Sequence, residues 1–387
     1  MNERRAQARR EKIRGLLLAG AIAAILFPGI GERLSADEPQ RDSSGRDFNP
    51  LATVIRYIKS DYLEEPDPKR TMEGAFQGMV NALDVLSSYL DKPAAAKYTN
   101  PQKLLLKDIG LILYKRYAAF PLVIGIVGHS PAEKAGIKIG DYLSALDERS
   151  TLVWSLTEIQ LRLKDADAAP VKLRLIRDNT TKEMTVVRAN IYPKALTMTP
   201  LPGTAGVVRI HHVYPPLVAE FKTSLLAQLK GLKAPLVIDL RDCHEGDMNE
   251  ARLFLNLFLK AEKIGYFQRK NGQKETWACS EAAPLESVPL VVWLNQASMG
   301  PAELAAGVLK DLKRAKVVGL PTPGLTGKQD LFPLDNGDAL LLTTGVFYFT
   351  SGEKLWGKGV APDSKLDLEK TDDAAYLEKT LGLISGR

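Results

Sequence analysis

The sequence predicts an α/β protein in three parts: a small N-terminal helical unit, a β-rich module, and an α/β core with a mostly parallel sheet. Three observations carry this expectation. After a polar stretch ending near residue 50, apolar residues recur at helical spacing. From about 106 to 190 the pattern changes to short β-like runs interrupted by two brief helical stretches. Beyond residue 196, continuous apolar runs such as PLVID and PLVVWL alternate with helical segments, which suits a sheet covered on both faces by crossover helices.

The chain opens MNERRAQARREKIR and continues GLLLAGAIAAILFPGIG. A basic segment followed by an apolar one with no polar face is expected to be an export signal, either cleaved after Ala36 or retained as a membrane anchor over residues 15–31. Residues 37–50, DEPQRDSSGRDFNP, read as a linker. The helical region spans 51–105. LATVIRYIKSDYL places Leu51, Val54, Ile55, Ile58 and Leu63 at mostly helical intervals, EEPDP breaks the run, and KRTMEGAFQGMVNALDVL puts Met72, Phe76, Met79, Val80 and Leu83 on one face. The β-rich module spans 106–195, with strands in IGLILYK, PLVIGIV, DYLSALD, VKLRLIRD and EMTVVRA and helices near SPAEKAG and SLTEIQLRLK. The core, 196–387, alternates the strands GVVRIHHV, APLVIDLRD, VPLVVWLNQA and AKVVGLP with the helices PLVAEFKTSLLAQLKG, NEARLFLNLFLK and GPAELAAGVLKDLK. DALLLTTGVFYFTSGEKL then reads as a hairpin or meander.

Composition removes several functional classes. Of the net charge of +6, the first 36 residues supply +4 through seven Lys/Arg and three Glu, and the remaining +2 makes no basic footprint for nucleic acid. Cys243 and Cys279 could pair after export or stay separate thiols. His129, His211, His212 and His244 have no zinc-binding spacing, so neither metal nor cofactor is expected.

DIGLILYK together with IGIVGHSPAEKAGIKIGDYLSALDERS resembles a PDZ domain. The resemblance implies that an extended peptide adds as a strand to the sheet edge while backbone amides hold its terminal carboxylate. Those amides map to Asp108, Ile109, Gly110 and Leu111, with Ile112 and Leu113 continuing the strand. The opposite wall maps to the helix from Ser155 to Lys164, where Leu156, Ile159 and Leu163 share a face. The same residues could instead fill the module's own core.

The flanking segments EGAFQGMVNALDVLSSYLD, PLVIDLRDCHEG, AELAAGVLKDLKRAKVVG and LLLTTGVFYFTSGEKLWGKGVAPD occur in the order that resembles the carboxyl-terminal processing, or tail-specific, proteases, over residues 50 to 365. The resemblance implies an exported serine peptidase of the bacterial periplasm or cell envelope. It uses a Ser-Lys dyad, and its PDZ module recognises substrate C-termini. Such a dyad needs a hydroxyl beside a lysine kept neutral by burial, and two amides for the oxyanion. Matching the family's Ser-Ala-Ser-Glu onto NQASMGPAEL aligns its glutamate with Glu303 and its nucleophile with Gly300. The base position, 25 residues on, falls on Leu325, while a supporting glutamine is kept as Gln329. The family's Asn-Pro-Gly-Gly oxyanion loop becomes Cys243, His244, Glu245 and Gly246. The chain is therefore expected to be a non-catalytic member that binds polypeptide C-termini as scaffold or regulator, with an active relative or a second copy as candidate partner. The alternatives are an active endopeptidase whose dyad has moved to Ser298 and Lys328, and a structural envelope protein with a closed groove. A thiol nucleophile at Cys243 beside His244 is disfavoured, because sequence neighbours seldom form a nucleophile-base pair.

Overall fold

A computed structural model describes residues 49–100, 106–192, 194–280 and 282–384. The export segment expected over 1–36 lies outside them, as does nearly all of the linker. Among the described residues no helix is long and apolar enough to cross a membrane. The chain divides into two units, Met1–Thr71 and Met72–Arg387.

In the first unit, helix α1 covers Asn49–Asp61. Val54 and Tyr57 are exposed on it, and Leu51, Ile55 and Ile58 are half-buried. Helix α2, Pro68–Asn81, starts where Asp67 accepts from the amides of Lys69 and Arg70. It stops short of the predicted end at residue 86. Asp84 instead folds the chain into a turn by accepting from Leu86 N and Ser87 N at 2.8 and 2.7 Å. Strand β1 (Ser88–Leu90) and helix α3 (Lys92–Thr99) follow, the helix capped by Asp91.

The next elements form one antiparallel sheet: β2 (Leu111–Tyr114), β3 (Leu122–Ile126), helix α4 (Pro131–Lys134), β4 (Tyr142–Leu146), β5 (Arg149–Ser150), helix α5 (Leu156–Leu163), β6 (Pro170–Arg177) and β7 (Thr180–Val187). The strand order is β2-β3-β4-β6-β7, with β5 paired to β4. Alternation sets the faces: on β6, Val171, Leu173 and Leu175 point inward while Lys172 and Arg174 face water. Ser130 and Ser155 start the two helices by accepting from the amides of Glu133 and Glu158.

The remaining elements are β8 (Leu196–Thr199), β9 (Gly206–Ile210), helices α6 (Leu217–Ser224) and α7 (Leu226–Leu229), β10 (Leu236–Asp239), helix α8 (Met248–Leu255), β11 (Ala261–Arg269), β12 (Lys274–Cys279), β13 (Leu290–Leu294), helix α9 (Pro301–Asp311), β14 (Ala315–Gly319), β15 (Gly327–Pro333), β16 (Ala339–Tyr348), β17 (Ser364–Lys365) and helix α10 (Asp373–Ile384). The sheet β17-β14-β13-β10-β9-β8 is parallel except at β8. Its central strands β10 and β13 are buried along their whole length because both faces are covered. Val208, Ile238, Val292 and Val317 face Phe221, Phe254, Leu304 and Val308 of the helices. The alternate residues Val207, Val237, Val291 and Val318 face Leu366 and Tyr376. A third sheet is β1-β16-β11-β12 with β15 on β16. The segment expected to be a hairpin or meander is mostly the one long strand β16, and it turns back on itself only at the Tyr348–Lys354 bridge. The β11–β12 hairpin was not among the predicted elements, since Glu262, Lys263 and Glu275 leave it no continuous apolar run.

Asp141, buried at the head of β4, takes two hydrogen bonds from the Arg177 guanidinium at 2.5 and 2.6 Å. Burial alone would raise its carboxyl, but the bonds and charge of Arg177, with the Lys138 amide, carry it below the usual carboxylate range. A depressed carboxyl stabilises the fold above its unfolded value, about pH 4, and that contribution is lost as pH falls through the folded value. Asp141→Asn is expected to lower urea stability by about 2 kcal/mol at pH 7. The gap to wild type should close on acidification below about pH 4; an unchanged gap down to the lowest pH would contradict this assignment.

Candidate functional site

The site lies beyond the C-terminal ends of β10 and β13, where an open parallel sheet presents its loops. Asn295 ties the two loops together. Its Oδ1 accepts from Asp242 N at 3.0 Å and Ala297 N at 3.1 Å, and its Nδ2 donates to Asp242 Oδ1 at 2.8 Å. Ser298 belongs to this framework. It is fully buried, accepts from Asn295 N at 3.0 Å and donates to Leu240 O at 2.8 Å.

Gly300 follows at the N-cap of α9 with φ +58° and ψ −118°. Side-chain-bearing residues rarely adopt this backbone, although there is room: a Cβ built here would meet only Leu325 O, at 3.9 Å. Glu303, fully buried in the first turn of α9, binds Gly300 to the segment after β14. Its carboxylate accepts from Gly300 N (3.0 Å), Gly324 N (2.6 Å), Leu325 N (2.9 Å) and Thr326 Oγ1 (2.9 Å). Burial pushes this carboxyl up, against the opposing pull of its donors. The positions matched to nucleophile and base, 300 and 325, thus sit together, without a hydroxyl at one or an amine at the other. Leu325 packs against Met299 and Ile112 on one side and against the module's core on the other. Gln329 donates to Leu86 O at 3.1 Å.

The relocated dyad does not form. The Ser298 hydroxyl is committed to Leu240 O, whereas Lys328 pairs with Glu275 on β12 and lies 5.9 Å from the centre of the Phe267 ring. Residues 298 and 328 lie close in sequence to the family positions, but the turn and the strand aim them elsewhere. Thr326 is buried and also donates weakly to Gly300 O at 3.3 Å, so its hydroxyl serves the clamp.

The loop after β10 is held by Val213, whose amide donates to Glu245 O at 2.8 Å and whose carbonyl accepts from Asp247 N at 2.9 Å. Gly246 permits this approach, since a Cβ would fall 2.6 Å from Val213 Cβ. Cys243 and Cys279 are both free and buried. Burial pushes the Cys243 thiol far up, away from thiolate chemistry. His244 Nδ1 lies 3.0 Å from Asp242 O and 3.5 Å from Tyr192 Oη. Glu245 pairs with Lys164 at the end of α5. Burial alone would raise the Glu245 carboxyl and lower the Lys164 amine. Their attraction, with Asp108 adding to the lysine and His244 to the glutamate, reverses both shifts and favours the charged forms.

The proposed peptide groove differs from expectation. Ile159 and Leu163 are fully buried in the module's core together with Ile109 and Leu111, so they line no open wall. Ile112 is buried against Ala297 and Met299. Asp108 Oδ1 accepts from Ile109 N at 2.5 Å and Gly110 N at 3.2 Å, so two of the amides assigned to a ligand's carboxylate already hold an internal one. Open space lies instead in a cavity of about 210 Å³, whose lining includes Leu156, Lys164, Glu245, Gly300, Leu325 and Gln329. Among the described residues no group of three or more His, Cys, Asp or Glu side chains could hold a metal.

The family model described as Peptidase family S41 matches residues 204–366. A carboxy-terminal-processing protease of Bartonella bacilliformis is 25% identical over 340 residues, covering 85% of this chain and 77% of that protein. The carboxy-terminal processing protease CtpA of Bacillus subtilis is 27% identical over 335 residues, covering 86% and 71%. Among solved structures, the photosystem II D1 C-terminal processing protease superposes with a TM-score of 0.68 at 22% identity, covering 87% of this chain and 92% of that one, a likeness of fold.

Sequence matching reached Glu303 only as a landmark. Its clamp has a local signal, a Glu three residues after the N-cap, but its partners after β14 do not. Glu303→Ala should leave those donors buried and unpaired and lower urea stability by about 3 kcal/mol, with Glu303→Gln losing less. Equal stability of Glu303→Ala and wild type would dismiss the clamp.

Proposed function

We infer that this chain, which belongs to peptidase family S41 among the carboxyl-terminal processing serine proteases, is a non-catalytic member that holds polypeptide without cutting it. The observation that carries this reading is the pairing of Gly300 with Leu325 on an intact backbone. Acyl transfer needs a nucleophile, a base to take its proton and donors for the oxyanion. Position 300 supplies no hydroxyl and position 325 no base, and Ser298 and Lys328 are each bound elsewhere. Loss of either dyad member costs several powers of ten in rate, and misplacement by about 1 Å costs roughly a hundredfold. A Glu245 carboxylate at the former oxyanion loop also opposes a developing negative charge.

Polypeptide binding is supported by the cavity, which keeps apolar wall from Leu156 and Leu325 beside polar groups at Gln329 and Lys164. With Asp108 on the module's own amides, this cavity is the better candidate for the bound tail than the β2–α5 groove. The N-terminal sequence supports work outside the cytoplasm, in the cell envelope. There such a protein would act as scaffold or regulator, with an active relative or a second copy as partner.

A fluorophosphonate serine probe and a set of labelled peptides with apolar C-termini test this. Expected are no labelling, intact peptides after prolonged incubation, and saturable binding. Probe labelling or turnover that disappears in Ser298→Ala would establish the active-enzyme alternative. Gly300→Ser should also cost about 1–3 kcal/mol of stability through its φ of +58°, read by urea unfolding.

A further inference from the structure

We propose that Lys164 is the cation of a carboxylate-binding site in the cavity beside Gly300, and that Glu245 is its resident occupant, displaced when a carboxylate of a bound polypeptide arrives. The proposal rests on the polypeptide-binding reading above and names the group it recognises.

Lys164 follows the last residue of α5 as its C-cap, and both Lys164 and Glu245 line the cavity. Their side chains are 14% and 11% exposed, so the pair is sheltered but reachable. In such shelter a charge pair is worth more than at the surface, and an unpaired charge costs more. Any ligand that takes Glu245's place must therefore bring a negative charge with it.

Two carboxylates influence this ammonium, and they are not equivalent. Asp108 is fixed. Its Oδ1 accepts from Ile109 N and Gly110 N, and its backbone exchanges hydrogen bonds with Ala189 at 2.9 and 2.8 Å. Glu245 is anchored through its backbone, by the Val213 amide and the Val213–Gly246 bridge, and apart from Lys164 its carboxylate meets, among the described residues, only the His244 ring, with Nε2 at 3.6 Å. Its side chain can swing away without disturbing that loop. In the family resemblance this position is a glycine, so the scaffold itself requires no carboxylate there. The cation thus has one bonded partner, Glu245, which can exchange, while Asp108 is held elsewhere and makes no ion pair with it.

The neighbouring groups fit the exchange. Lys97, also on the cavity wall, is held by Asp165 at 3.1 Å and by Lys164 O at 2.7 Å. His212 is neutral at physiological pH, burial having pushed it down to about 4, so it adds no competing cation. When a ligand carboxylate replaces Glu245, Lys164 stays paired and Glu245 gains water. The swap is then close to balanced, which suits reversible binding. A peptide without a carboxylate at that point leaves the internal pair in place.

The test uses the full chain and three fluorescein-labelled decapeptides of one sequence ending in two alanines. One has a free C-terminal carboxylate, one a C-terminal amide, and one is amidated with glutamate at the penultimate position. Fluorescence anisotropy gives Kd for wild type, Glu245→Gln and Glu245→Gln/Lys164→Met. Removing the resident charge should tighten a carboxylate-bearing peptide about tenfold and leave the plain amide unchanged, and the double variant should lose the gain. A gain limited to the free C-terminus assigns the site to chain ends; a gain limited to the glutamate peptide assigns it to acidic side chains. Glu245→Ser, checked by thermal melting, serves as a second release variant should Glu245→Gln fold poorly. Binding that is present but shifts equally for all three peptides, or not at all, overturns the carboxylate site and leaves the polypeptide-binding reading standing. No binding of any peptide by any variant overturns both.

Discussion

One buried carboxylate holds the candidate site together. Glu303 stands in the first turn of α9, where a helix presents unpaired amides and a positive dipole end. It takes the Gly300 amide from its own helix and donors at 324, 325 and 326 from the segment before β15. Without it the three backbone amides would be left without a partner, and the Thr326 hydroxyl would keep only its weak bond to Gly300 O. The approach of residue 300 to residue 325 follows from this clamp and from main-chain atoms. It does not depend on the side chain at either position.

That independence lets the side chains at 300 and 325 vary while the fold remains. A serine at position 300 would have to sit at φ +58°, a strained conformation tolerated where function demands it. Glycine relaxes that strain and leaves room above it, as the 3.9 Å clearance to Leu325 O shows. At position 325 a general-base lysine must be neutral, which requires a dry, largely apolar pocket. A leucine suits the same pocket better, because it has no amine to desolvate and gains apolar burial against Met299 and Ile112. On the proposed non-catalytic reading, both residues favour stability, the direction expected where activity does not set the requirement.

The parallel sheet was legible in the sequence because its strands are apolar on both faces; β10 and β13 contain no exposed residue. The serine-capped helices at Ser130 and Ser155 were legible for a local reason, a side-chain oxygen placed just before a helical run. Other features had no local signal. Periodicity marked Ile159 and Leu163 as one apolar face but could not tell a groove from a core, since both call for the same residues. The β11–β12 hairpin mixes charged and apolar residues in a way that single-strand patterns do not separate. The early stop of α2 depends on a side-chain turn at Asp84. Lys164 and Glu245 are 81 positions apart, and only the approach of the antiparallel sheet to the parallel one makes them partners. Gly300 and Leu325 were readable because their absences are chemical and need no geometry to recognise.

The third change differs in kind from the other two. Gly300 and Leu325 remove groups, whereas Glu245 adds a charge where the reaction would need the opposite field. An oxyanion is stabilised by donors already aimed at it in a water-poor site, where electrostatic terms are largest. Lys164 balances Glu245 only by being committed to it, and Asp108 already draws on the same ammonium. Burial pushes the Asp108 carboxyl up, so the charges that count here are those of Lys164 and Glu245, which neutralise each other. On the proposed non-catalytic reading, a serine and a lysine restored at 300 and 325 would still meet a loop whose one ammonium is committed to Glu245 and whose position 245 carries a carboxylate. The loop after β10 then weighs on that reading beside the residues at 300 and 325.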